Sequence, residues 1–147
     1  MSKPDTEDSR LERARNAFDK VAYARFLGLE LCELKSGEVT VCLDVRDEVK
    51  QNHGVVHGGA IASLIDTASA FVILTTIDEN EQVTTTDLTI HYLRPVTLGR
   101  MLARARIVRG GRRRFVVNVE VESDGELAAT AVTGYMKILQ QKQPERA

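Results

Sequence analysis

Residues 58–77 read GGAIASLIDTASAFVILTTI, and Asp66 is the only charged side chain among them. The run is long enough to span a bilayer as a helix. It also carries Gly58, Gly59, Ser63, Thr67, Ser69, Thr75 and Thr76, and no aromatic belt flanks it. A helix that is apolar on every side can equally be the buried centre of a globular domain. That reading is adopted here. It leaves one question for the rest of the chain: what covers such a helix.

The answer downstream is strands. Residues 82–93 are rich in Thr, Ile and Tyr, and Pro95 and Gly99 close the run. Residues 100–109 alternate Met101, Ala103, Ala105 and Ile107 against Arg104 and Arg106. Gly110-Gly111 is a hairpin signal. Phe115, Val117, Val119 and Val121 then alternate with Asn118, Glu120 and Glu122. Asp124-Gly125 is a second turn, and a last strand covers about 127–139. Upstream, residues 29–34 and 38–45 form a hairpin around Ser36-Gly37, and residues 46–57 are an irregular polar loop. An amphipathic helix is predicted over residues 9–23, with Leu11, Ala14, Phe18, Val21 and Ala22 near one stripe. Each strand has one apolar face, as an antiparallel sheet covered on one side should. An α+β domain whose curved antiparallel sheet wraps around the central apolar helix satisfies both burial demands. The predicted organisation is a tail and helix over 1–24 and one domain over 25–147.

Composition narrows the function. The 147 residues carry 20 Lys plus Arg against 21 Asp plus Glu, a net charge of −1. That balance, with no Trp, gives no electrostatic argument for nucleic acid or a membrane surface as partner. Cys32 and Cys42 are too few for a disulfide framework and lack metal-type spacing, so both are expected as small core residues. Residues 1–15 mix acids and bases without an apolar targeting core, so the expected compartment is the cytoplasm. His53 and His57 could ligate zinc, but no further ligand cluster accompanies them. No cofactor is expected.

The site is read from the anomaly in the helix. A carboxylate in an apolar setting is costly unless it is paired or hydrogen-bonded. One explanation is a helix position facing a solvent channel; the other is a group placed to attack or to take a proton. The lead-in, Asn52-His53-Gly54-Val55-Val56-His57-Gly58-Gly59, ends at a helix N-terminus. Free N–H groups and the helix dipole there favour negative charge, and such donors suit an oxyanion. The glycines could also serve only a tight turn. Gly58 and Asp66 are eight residues apart, about 12 Å along one helix axis, so one chain cannot bring both to one carbonyl. Two antiparallel helices in a two-fold dimer would do so, completing two composite sites.

These residues resemble a known family. The segment Asn52…His57-Gly58-Gly59-Ala60…Leu64-Ile65-Asp66, with Tyr92-Leu93-Arg94-Pro95 later, is similar to the HGG motif of hotdog-fold acyl-CoA thioesterases, in the phenylacetate-pathway-like branch. The likeness covers roughly residues 25–139. It implies the hotdog fold and hydrolysis of acyl- or aryl-CoA thioesters by a homodimer or homotetramer. It implies that Asp66 is nucleophile or general base, that Gly58 donates its N–H to the oxyanion with Gly59 beside it, and that His57 supports the thioester carbonyl. Asn52 corresponds to a residue that places water, although relatives often have one more residue before His57. Thr85 falls where relatives orient that water, yet strict alternation groups it with Asp87 and Thr89, away from the Leu88 and Ile90 face. Arg112, Arg113 and Arg114, with Arg109, flank the Gly-Gly turn. They are either a solvated tip or a grip on coenzyme A phosphates. A non-catalytic acyl-CoA-binding hotdog protein is the alternative from another class.

Overall fold

Six strands make one antiparallel sheet: β1 (Leu29–Lys35), β2 (Glu38–Asp44), β3 (Glu81–Tyr92), β4 (Arg100–Gly110), β5 (Arg114–Ser123) and β6 (Glu126–Leu139). Their order across the sheet is β1-β2-β4-β5-β6-β3. The computed structural model describes residues 4–139. Three helices accompany the strands: α1 (Glu7–Lys20), α2 (Ala22–Leu27) and α3 (Gly58–Leu74).

Helix α3 is the core. Leu64, Ile65, Ala68, Val72 and Ile73 are fully buried against inward residues of the strands, among them Val41, Leu43, Val117 and Val119. On β4 and β6 the inward set includes Ala103, Ala105, Ala129 and Ala131, whose small side chains leave room for the helix. The predicted sheet wrapped around an apolar helix is the one observed. No helix among the described residues is long and apolar enough to cross a membrane.

Three expectations are corrected. The single N-terminal helix is two. Thr6 and Ser9 form a capping box that starts α1 earlier than expected, and Val21 breaks it in extended conformation. Phe18 and Leu27 are both buried. They lie nine residues apart, about two and a half turns, so one straight helix would point them in opposite directions. The cysteines are not two core residues: Cys42 is buried, but Cys32 is exposed and bonded to it. Cys32 sits at a register shift between Leu31 and Glu33, which brings it beside its partner on β2. Third, strict alternation along β3 fails at a second shift, between Thr85 and Asp87. The extra residue, Thr86, reverses the phase, so Val83 and Thr85 share the helix side with Leu88 and Ile90. Gly134 on β6 lies opposite this bulge; a Cβ there would collide with the side chains of Asp87 and Thr86.

Candidate active site

Asp66 lies midway along α3 and is half-buried. Two hydroxyls from two strands meet its Oδ1. Thr85 on β3 donates at 2.8 Å, and the Tyr135 hydroxyl on β6 donates to the same oxygen and lies 3.0 Å from the Asp66 backbone oxygen. Thr85 and Tyr135 are paired across the β3–β6 ladder, so the sheet sets both donors at once. Oδ2 receives no hydrogen bond from the described residues. The carboxylate is thus held by one oxygen and presents the other, as a base or nucleophile requires. Burial first, then the Asp66 carboxylate, pushes the Tyr135 phenol well above its ordinary value. It therefore stays a protonated donor throughout the neutral range.

The helix start has a matching feature. His57 is the N-cap, and its Nδ1 accepts from Gly59 N–H at 2.8 Å. That bond leaves the ring proton of neutral His57 on Nε2. The N–H groups of Ala60 and Ile61 reach His57 O. Gly58 N–H alone in the first turn has no partner among the described residues. Its carbonyl accepts from the Tyr92 hydroxyl at 2.8 Å, which ties the helix start to the end of β3. Gly59, expected as a substrate contact, has its N–H committed to the cap, and a Cβ there would sit 2.9 Å from His57 Nδ1.

The remaining expected residues lie apart in a single chain. Asn52 is exposed on a turn held by Gln51 N–H to Val55 O and Gly54 N–H to Gln51 O. No hydrogen bond joins it to Asp66. Arg112, Arg113 and Arg114 are exposed at the β4–β5 tip and form no ion pair among the described residues. The tip is nevertheless close in register: Phe115 pairs with Tyr135, which pairs with Thr85. Among the described residues no three His, Cys, Asp or Glu side chains are grouped to hold a metal.

Tyr135 was missed from sequence. It is one more inward aromatic of an alternating strand, and only the fold aims its hydroxyl at Asp66. Tyr135→Phe is expected to lower kcat about tenfold, the worth of a hydrogen bond to a charged group, while KM changes little. Thr85→Val should act likewise and Thr85→Ser should not. Steady-state kinetics on folded variants checks both.

A six-stranded antiparallel sheet curled around one apolar helix is a hotdog fold, and here that helix carries a carboxylate held by two hydroxyls. Residues 53–129 match the thioesterase superfamily, and the chain belongs to that family. The Saccharolobus solfataricus protein SSO2140 is 34% identical over 109 residues, covering 74% of this chain and 77% of that one. The Salmonella typhimurium medium/long-chain acyl-CoA thioesterase YigI is 30% identical over 130 residues, covering 78% and 84%. Among solved structures, conserved protein PA5202 of Pseudomonas aeruginosa superimposes with a TM-score of 0.77 at 30% identity, over 80% of this chain and 94% of that one. The PaaI protein of the E. coli phenylacetic acid degradation operon gives 0.82 at 23% identity, over 90% and 96%, a likeness of fold. At the level of the family, the activity is thioester hydrolysis.

Proposed function

We propose that the chain hydrolyses acyl-CoA thioesters to the free acid and CoA, in the phenylacetate-pathway-like branch of the family. The observation that carries this is the Asp66 carboxylate, held at Oδ1 by Thr85 and Tyr135 and uncommitted at Oδ2. A protein that only bound acyl-CoA would gain nothing from keeping a half-buried carboxylate there. The acyl-CoA class follows the YigI relative.

In the general-base route, Asp66 Oδ2 takes a proton from water as the water oxygen bonds to the thioester carbon. The carbonyl becomes an oxyanion facing a Gly58 N–H at the dipole-positive helix start, with His57 Nε2–H as a second donor nearby. Asn52 holds the attacking water. Collapse breaks the C–S bond, and the thiolate leaves with the proton from Asp66. In the nucleophilic route Oδ2 itself bonds to the carbon, the C–S bond breaks and CoA leaves as the thiolate. Water then attacks the Asp66 carbonyl of the resulting anhydride to release the acid and restore the carboxylate. A single turnover in heavy-oxygen water separates the two: label enters Asp66 only in the second. The proposal itself is tested by free-thiol release from a panel of aliphatic and aromatic acyl-CoAs. Release from none of them overturns it.

The working unit is a homodimer, because Gly58 and Asp66 of one chain are about 12 Å apart along α3. Strand β3 supplies the interface: it is a twelve-residue sheet edge beside the site, with Tyr92 and Leu93 half-exposed at its end. Such an edge asks to be covered. Val116, Val132 and Ile138 on the outer sheet face suit a further pairing into a homotetramer. The Cys32–Cys42 bond runs against the cytoplasm expected from the sequence, where thiols are kept reduced.

Arg112, Arg113 and Arg114 are assigned to the phosphates of CoA, because the turn they form leads into Phe115, the ladder partner of Tyr135. Neutral replacements should raise KM several-fold and leave kcat, because such contacts hold ground and transition states alike. The effect should shrink in high salt, and a short thioester without the nucleotide should not respond. An unchanged KM for full CoA substrates at low salt makes the turn a solvated hairpin tip.

A further inference from the structure

A groove of about 570 Å³ lies between α1, the C-terminal half of α3 and the start of β3. Its apolar lining is Ala14 and Ala17 of α1, Ala70 and Leu74 of α3, with Ile77 and Val83. The volume is that of a small-molecule site. Two placements connect it to Asp66. Ala70 is one turn further along α3, on the same face as Asp66. Val83 is two residues before Thr85, so their side chains share a face of β3, and the Thr85 hydroxyl reaches Asp66.

The outer wall of the groove is firmly attached. Phe18 of α1 packs edge-on against Phe71 of α3, with ring centroids 5.0 Å apart. The far end carries a polar latch. Arg13 donates to Ile77 O at 3.1 Å and Arg10 to Asp78 at 3.1 Å, and both guanidiniums pair with Asp5. Arg13 and then Arg10 hold the Asp5 carboxyl well below the usual carboxylate range.

We propose that this groove takes the hydrocarbon tail of the acyl group and that α1, through Ala17 and the Arg13 latch, limits the length of tail accepted. The proposal rests on the thioesterase reading above. With the thioester carbon at Asp66, tail and CoA must leave in different directions. The anionic CoA has the arginine turn and solvent. The tail has the apolar residues of this groove, which begin one helical turn away and extend about 12 Å from Asp66 to Leu74, beside polar ones such as Lys20 and Glu81. Ala14 and Ala17 keep the groove open by being small; the latch closes it beyond Ile77. Each methylene buried there strengthens binding about fourfold, until the tail meets the latch.

The test uses a series of straight-chain acyl-CoAs from acetyl to palmitoyl. In the wild type, kcat/KM should climb with length and then level off. Ala17→Phe should cut the long-to-short ratio of kcat/KM about tenfold or more, the loss of two or more methylenes. Arg13→Ala, which opens the far end, should move the plateau to longer chains. This second variant keeps the question answerable if Ala17→Phe does not fold. A binding arm is independent of turnover: decanoate titrated into the Asp66→Asn protein should bind, and should bind about tenfold more weakly when Ala17→Phe is added. Length profiles that parallel the wild type in both folded variants would overturn the proposal, and so would decanoate affinity indifferent to Ala17→Phe. Either result would mean that something else, such as a second copy of the chain, fills the groove. Wild-type protein that cleaves no acyl-CoA yet binds decanoate in an Ala17-dependent way would instead sink the thioesterase reading alone.

Discussion

Asp66→Asn is expected to fold as the wild type does and to lose at least about 10²-fold in kcat, the scale on which general-base catalysis operates. The amide keeps an acceptor oxygen for the Thr85 and Tyr135 hydroxyls, so the geometry around position 66 has no reason to change. What goes is the charge and the basic lone pair at Oδ2. Stability gives a second reading of the same variant. A carboxylate half-buried in an otherwise apolar helix costs folding free energy, and active sites commonly keep such costs for function. The melting temperature of Asp66→Asn should therefore equal or exceed that of the wild type, while turnover collapses. A variant that turns over like the wild type rules out Asp66 as the reacting group. A variant that melts many degrees lower makes Asp66 a structural residue, held by its two hydroxyls for the fold's sake.

The helix and the strands were legible in sequence because each is decided by local periodicity. The apolar run at 58–77 has no polar face to turn to solvent, the alternations at 101–107 and 115–121 each admit one buried face, and the observed buried residues follow both patterns. The same logic located Asp66, since a lone charge in an apolar helix stands out without any knowledge of its neighbours. What sequence could not give is anything that depends on a break in period or on a partner across the sheet. The extra residue in β3 turns Thr85 toward Asp66 against strict alternation, and its counterpart, Gly134, sits on another strand. Tyr135 is 69 residues from the carboxylate that it binds. The bond between Cys32 and Cys42 likewise depends on a shift in β1 that local pattern does not announce. The split of the N-terminal helix at Val21 follows from which way the core lies, and a single amphipathic stripe cannot express that.

Two inactive variants should restore activity when mixed, if the site is shared between chains. The first is Asp66→Asn. The second is Gly58→Pro, which removes the one open N–H of the first turn while leaving the helix intact. Proline is well tolerated at the first helical position, and His57 already has the extended conformation that a following proline demands. Gly58→Ala is the control: it keeps the N–H, and its Cβ would meet the ring of Tyr92 at 3.3 Å, a half-exposed side chain that can give way. It should retain most of the activity that Gly58→Pro loses. In a mixed dimer, Asp66 of the Gly58→Pro chain faces Gly58 of the Asp66→Asn chain, and that site is whole. The other site lacks both groups. Equal amounts assembling at random make about half of the dimers mixed, each with one good site, so activity should return to about a quarter of the wild-type level. Co-expression with different tags, followed by sequential purification, isolates the mixed species and should double that figure. Asp66 and Gly58 acting within one chain would leave every mixture as inactive as its parts.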